Sequence, residues 1–153
     1  MRSVSVGLYF DTKGNVIIDP EIQAPAGFGI SSYKFVKLQN GYTREELGEA
    51  IMKALEISVI NEQEEQNRKF WTEATGIKGY AAFSKKHKCV SVTYILEKEG
   101  YSITAEKRYP DGSYGVDSDN YSMRVKEYPG KPVKETIADQ VLEALRLVVK
   151  LSI

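Results

Sequence analysis

The run Tyr109-Pro110-Asp111-Gly112-Ser113-Tyr114-Gly115-Val116-Asp117-Ser118-Asp119-Asn120-Tyr121 carries three tyrosines and three aspartates and no lysine or arginine. Two chemistries could use such a stretch. Asp117-Ser118-Asp119 supplies the first two acidic positions of a calcium loop, which also needs a glycine at its sixth position and a closing glutamate at its twelfth. Those positions hold Ser122 and Tyr128, and the fifth holds Tyr121, so no metal is expected. The second chemistry is protein recognition. Tyrosine offers a large contact area at low entropy cost together with a hydroxyl, and the aspartates suit a basic partner. Six of the ten tyrosines lie between Tyr94 and Tyr128. Cross-strand packing explains some of them, and both uses can hold on opposite faces of a sheet.

The remaining reactive residues do not assemble a reaction. The single histidine, His87, sits in the basic turn Ser84-Lys85-Lys86-His87-Lys88. Cys89 follows and opens a strand, where a lone cysteine is usually a small buried residue. A nucleophile elbow, a Walker loop, zinc-ligand spacing and a dinucleotide fingerprint are all missing, and Gly27-Phe28-Gly29 is only a fragment of the last. No cofactor and no catalysis are expected. Trp71 is either core under a central helix or a partner contact, and Tyr80 lies nearby in sequence. The candidate binding residues are therefore Tyr109, Asp111, Tyr114, Asp117, Asp119 and Tyr121, with Trp71 and Tyr80 on the central segment.

The elements that must position these residues occur twice. SVSVGLYFDTKGNVI from Ser3 aligns with CVSVTYILEKEGYSI from Cys89 at an offset of 86, matching Val4, Val6, Gly14 and Ile17 to Val90, Val92, Gly100 and Ile103. IMKALEI from Ile51 aligns with VLEALRL from Val141 at an offset of 90. Each half opens with a strand hairpin and closes with a helix. Thr43-Arg44-Glu45-Glu46 is a capping box, with Tyr42 and Leu47 placed for a hydrophobic staple. The second long helix starts near Pro132, a residue tolerated in a first turn, and Val133, Ile137, Val141, Leu145 and Val148 form its apolar stripe.

Alternating apolar residues predict strands at Val4–Phe10, Val16–Ile18, Ser32–Leu38, Val90–Glu97, Tyr101–Tyr109 and Tyr121–Glu127, with a short one near Tyr114. Between the halves, Asn61 with Glu64 can cap one helix. Phe70, Ala74 and Ile77 share a face that Gly76 could end, and Tyr80–Lys85 forms another turn. The expected fold is α+β, a single domain over residues 1–153. It is built of two strand-strand-strand-strand-helix units with mainly antiparallel sheets, halves 1–60 and 88–153 joined by helical segment 61–87.

The 21 basic and 21 acidic residues balance. A dedicated duplex-binding domain would be basic. No apolar run approaches a membrane span, and MRSVSVGLYFD lacks the pattern of a secretory signal, so a cytoplasmic protein is expected.

The arrangement resembles the immunity proteins of bacterial contact-dependent growth inhibition, the CdiI family. The matching stretches are RSVSVGLYFDTKGNVII, TREELGEAIMKALEIS, FWTEATGIKGYAAFSKK followed by CVSV, and the second Gly-Tyr hairpin with its tyrosine-rich run. The resemblance implies a small cytoplasmic, non-enzymatic protein. Its partner would be the cognate CdiA C-terminal toxin domain, often a nuclease, delivered by a neighbouring cell. It also implies a fold similar to Whirly-type domains, and it transfers no contact residue by position. The alternative is a Whirly-like single-stranded nucleic-acid-binding protein using Lys85, Lys86 and Lys88 with aromatic platforms. A third reading, an enzyme working through aspartates or glutamates, would need a deep pocket lined by perturbed carboxylates.

Overall fold

A computed structural model describes residues 3–23, 29–60, 68–116 and 118–151. Asp117, Asn61 and Glu64 lie outside the described residues. The first half supplies β1 (Ser3–Phe10), β2 (Val16–Gln23), β3 (Gly29–Ser31), β4 (Val36–Leu38) and α1 (Arg44–Ile60). Two short helices follow, α2 (Phe70–Thr75) and α3 (Tyr80–Lys85). The second half supplies β5 (Lys88–Ile95), β6 (Gly100–Ala105), the small pair β7 (Lys107–Arg108) and β8 (Tyr114–Gly115), α4 (Tyr121–Arg124), β9 (Val125–Pro129) and α5 (Lys134–Leu151). The main sheet is antiparallel in the order β3-β2-β1-β5-β6-β9, with β4 also on the outer side of β2. The fold is thus an α+β single domain.

Strand alternation sorts side chains onto two faces. Val4, Val6, Leu8 and Phe10 of β1, with Val90 and Val92 of β5, point to one side and bury against Leu47, Ile51 and Ala54 of α1 and Ile137, Val141 and Ala144 of α5. The capping box closes as expected: the Thr43 amide donates to Glu46 Oε1 and the Glu46 amide to Thr43 Oγ1, both at 3.0 Å. The two long helices touch closely. A Cβ on Gly48 would meet the Lys134 carbonyl oxygen at 2.5 Å, so only glycine fits there.

The halves meet at the centre of the sheet. Val6 and Val92 pair across β1 and β5, and they are also the residues that the sequence offset of 86 matches. A twofold axis through this pair would exchange the two strands. Further along, the register corrects the alignment. Val6 pairs with Pro20 and Val92 with Ile103, so β2 and β6 are related by an offset of 83 and the second hairpin is three residues shorter. Gly14, in a turn at φ +86°, and Gly100, at the start of a strand, are not equivalent.

Three strand expectations change. Residues 32–35 do not continue a strand. The Tyr33 amide donates to Ser31 Oγ and the Lys34 amide to Ser32 Oγ, local bonds that compete with a ladder and leave Tyr33 at φ +62°. Tyr121–Arg124 forms a helical turn instead of a strand, which tucks Arg124 under the sheet with its Nη1 donating to the Ala105 carbonyl at 2.9 Å. The stretch Tyr101–Tyr109 breaks at Glu106, whose amide turns to the Cys89 carbonyl, and β7 pairs with β8 outside the main sheet.

Candidate partner-binding surface

The sheet face turned away from α1 and α5 is built in rows, one residue from each strand. At one end Ile17, Tyr9 and Cys89 are neighbours. Helices α2 and α3 cover this end with Phe70, Ala74 and Phe83, forming a second core. Its rings are close: Tyr9 lies 5.3 Å from both Phe70 and Phe83 and 5.9 Å from Tyr114. Separations of this size, with tilted or edge-on rings, are favourable aromatic geometry. His87 stacks on Phe83 at 4.2 Å, with Nδ1 2.8 Å from the Phe83 carbonyl, and Cys89 is buried with its thiol pKa pushed well up by burial. Both belong to the core. Among the described residues, no group of three or more His, Cys, Asp or Glu is arranged to hold a metal ion.

Beyond the aromatic end the same face is polar. The next row across the sheet is Asp19, Gly7, Ser91 and Thr104, and the one after it Glu21, Ser5, Thr93 and Ser102. Asp19 is 1% exposed and accepts a 2.8 Å bond from Ser31 Oγ. Burial drives its carboxyl up to about 8, the Ser31 bond opposing this. Glu21 is half-buried, and burial followed by the charge of Glu106 drives it up to about 7. Glu106 accepts from Ser91 Oγ at 2.9 Å and is raised by burial, with Ser91 and Arg124 pulling the other way. Sequence reading passed over all three carboxylates. The signal was the alternation Ile18-Asp19-Pro20-Glu21-Ile22, which puts Asp19 and Glu21 on the face opposite the main core.

The expected binding residues divide. Trp71, Tyr80 and Tyr114 come together in the second core, with Trp71 5.0 Å and Tyr114 6.3 Å from Tyr80. Trp71 Nε1 donates to the Lys78 carbonyl, and the Tyr114 hydroxyl donates to the His87 carbonyl at 2.8 Å. All three remain half-buried. The Pro-Asp-Gly turn does close a hairpin, the Tyr109 amide donating to the Ser113 carbonyl at 2.8 Å. Its tip does not stand free. Gly112, at φ +94°, is buried so close to α3 that a Cβ would meet Ala81 Cα at 2.8 Å, and Arg108 Nε ties the hairpin to Ser84 Oγ.

Asp111 is exposed but its carboxylate accepts from the Ser113 hydroxyl and amide, which hold its pKa below the usual range. Tyr109 is half-buried beneath the Lys107 ammonium. Asp119 and Tyr121 are exposed at the other end of the run. There Tyr121 borders a groove of about 490 Å³ with Lys98, Gly100, Glu127 and Tyr128. The seven of these residues that are described therefore do not form one patch.

No protein-family model matches the chain, and no curated protein matches it in sequence. Solved structures match it in shape. One is a protein of unknown function from Neisseria meningitidis, 14% identical, with a TM-score of 0.67 over 95% of each chain. Another is a chain of the CdiA-CT/CdiI toxin and immunity complex from Yersinia pseudotuberculosis, 11% identical, with a TM-score of 0.67 over 95% of this chain and 97% of that one. At these identities the likeness is one of fold. Among the described residues no helix is long and apolar enough to cross a membrane.

Proposed function

We propose that this chain is an immunity protein. It binds the C-terminal toxin domain of a contact-dependent growth inhibition effector, and blocks it by occupancy, without catalysis, in the cytoplasm of the cell it protects. The observation that carries the reading is the end-to-end likeness to a chain of a toxin and immunity complex, with a TM-score of 0.67 and nearly all of both chains aligned. The sequence resemblance, which rests on other features, points the same way. A nuclease toxin is basic where it meets phosphate, and an inhibitor gains on-rate and specificity from acidic groups opposite such a surface. The exposed carboxylates Asp111 and Asp119 suit that partner. The same carboxylates disfavour the nucleic-acid reading, since they would face phosphate. The test is coexpression with the C-terminal toxin domain of a contact-dependent growth inhibition effector from the same genome: growth should be rescued and the two proteins should copurify. Rescue without a complex, or a complex without rescue, would count against blocking by occupancy.

A further inference from the structure

Strand β4 carries the sheet past the cover of α1. Val36 and Leu38 stand opposite Ile18 and Val16 of β2, so their side chains share the face that packs on the long helices. Ile18 is fully buried, yet Val36 beside it is 45% exposed. The helix does not close over this edge because its flank there is short: Ala50 and Ala54 lie one above the other, with Ile57 further on. Between strand and helix runs a groove of about 340 Å³, floored by Ile18, Pro20, Val36 and Leu38. That size lies at the lower end of the roughly 300–1,000 Å³ of small-molecule sites, which are mostly apolar with a few placed polar groups.

The charges around the groove are sorted by end. Glu46 and Glu49, in the first turns of α1, stand towards Leu38. The opposite end is fixed by Ser58 Oγ, which donates to the Glu21 carbonyl, and by the Pro20 carbonyl, which accepts from the Ser32 amide. Here Lys34 reaches the rim from the strand side and Lys53 from the helix. About 10 Å of helix separates Glu46 from Lys53. The two ends also differ in what is free. Glu46 Oε1 accepts the Thr43 amide in the capping box, and Glu49 lies 3.5 Å from the Lys134 ammonium. Lys34 and Lys53 have no ion pair among the described residues. The complement of this groove is an apolar body with an anion at its lysine end. A cationic head finds both carboxylates engaged and the free charges of its own sign.

We propose that the groove between α1 and β4 binds a small amphipathic carboxylate, its apolar body along Ile18, Val36 and Ala50 and its head between Lys34 and Lys53. The site does not rest on the immunity reading, and neither stands or falls with the other.

The experiment is a titration of the ¹⁵N-labelled full chain with octanoate, kept below its micelle concentration, and separately with octyltrimethylammonium. Saturable octanoate shifts of the Val36, Ala50 and Lys53 amides are expected. Ala50→Leu, which fills the groove with a good helix former, should abolish them. Val36→Asp should do the same from the strand side, so the outcome does not hang on one variant's folding. Lys34→Gln combined with Lys53→Gln, both at exposed positions, should weaken octanoate at least about threefold, the size of two rim ion pairs. The cationic probe should bind the parent at least about threefold more weakly than octanoate. No saturable shift, or shifts that survive Ala50→Leu and Val36→Asp in folded protein, overturns the site. Equal affinity for the two probes, or for octanoate in the parent and the lysine variant, overturns the carboxylate head. Sedimentation showing a dimer that Ala50→Leu dissociates would make a second copy the occupant. A toxin complex weakened by Ala50→Leu, with no octanoate binding to the parent, would make the toxin the occupant. Either result overturns the small-ligand proposal, and the second leaves the immunity reading intact.

Discussion

Replacing Asp19 by Asn should flatten the pH dependence of stability. Asp19 is 1% exposed, and burial raises its folded-state pKa to about 8, whereas an unfolded aspartate titrates near 3.9. Between those values the folded protein holds one more proton than the unfolded chain. Stability conferred by the neutral carboxyl is therefore complete at low pH and is lost as pH rises, up to the folded pKa. The slope is about 1.4 kcal/mol per pH unit, so about 3 kcal/mol disappears between pH 5 and pH 7 from this residue alone. Asparagine keeps an acceptor for Ser31 Oγ and has no charge to desolvate. Glu21 and Glu106 are raised as well and steepen the parent's decline, but they remain in the variant, so the difference between the proteins isolates Asp19. Urea unfolding of both at half-unit steps from pH 5 to pH 8 measures it. The variant should gain on the parent steadily with pH. A gap that stays constant would mean Asp19 is ionised when folded, and the reasoning from its burial would fail.

Other outcomes follow from the packing and the surface. Phe83→Ala, at a fully buried ring in the second core, should cost about 3–5 kcal/mol in urea melts. Tyr114→Phe should cost about 1 kcal/mol by removing the hydroxyl bond to the His87 carbonyl, with toxin dissociation unchanged if that hydroxyl serves only the fold. Gly48→Ala should lower the melting temperature by forcing α1 from the Lys134 carbonyl, although in an open helix the change would be favourable. Asp111→Asn with Asp119→Asn should slow toxin association and flatten its salt dependence, as expected of rim charges, whereas Tyr121→Ala should act on dissociation; surface-binding kinetics separates the two.

Much of the fold was legible because it is written in local signals. Thr43 and Glu46 announce the start of α1 by side-chain chemistry that needs no tertiary context, and Gly76, at φ +79°, ends α2 where a left-handed residue was required. The offset of 86 matched Val6 to Val92 in sequence, and the sheet pairs these two residues across β1 and β5, a contact that the match alone did not foretell. What failed depended on contacts between distant residues. Nothing local to Tyr121–Arg124 says that Arg124 will bury itself against Ala105. The break after Ser31 comes from hydroxyls turning back on their own backbone, and Ser31 is held in that role by Asp19, twelve positions away.

The surface was harder to read than the core. Tyr114, Trp71 and Tyr80 have the composition of an interface, yet Phe70 and Phe83 claim their rings, because a sheet end left open by α1 and α5 must be covered. The raised carboxylates went unseen because Asp19 and Glu21 sit within an apolar strand and acquire meaning only when β1 places Tyr9 and Gly7 beside them.

The proposed function rests on one-to-one capture of a toxin, and titration calorimetry of the purified chain into the C-terminal toxin domain of an effector from the same genome measures that directly. The predicted result is a stoichiometry of one, a Kd of about 10 nM or tighter, and loss of toxin activity in step with complex formation. No heat of binding at micromolar concentrations, with toxin activity unchanged by an excess of this chain, would contradict it.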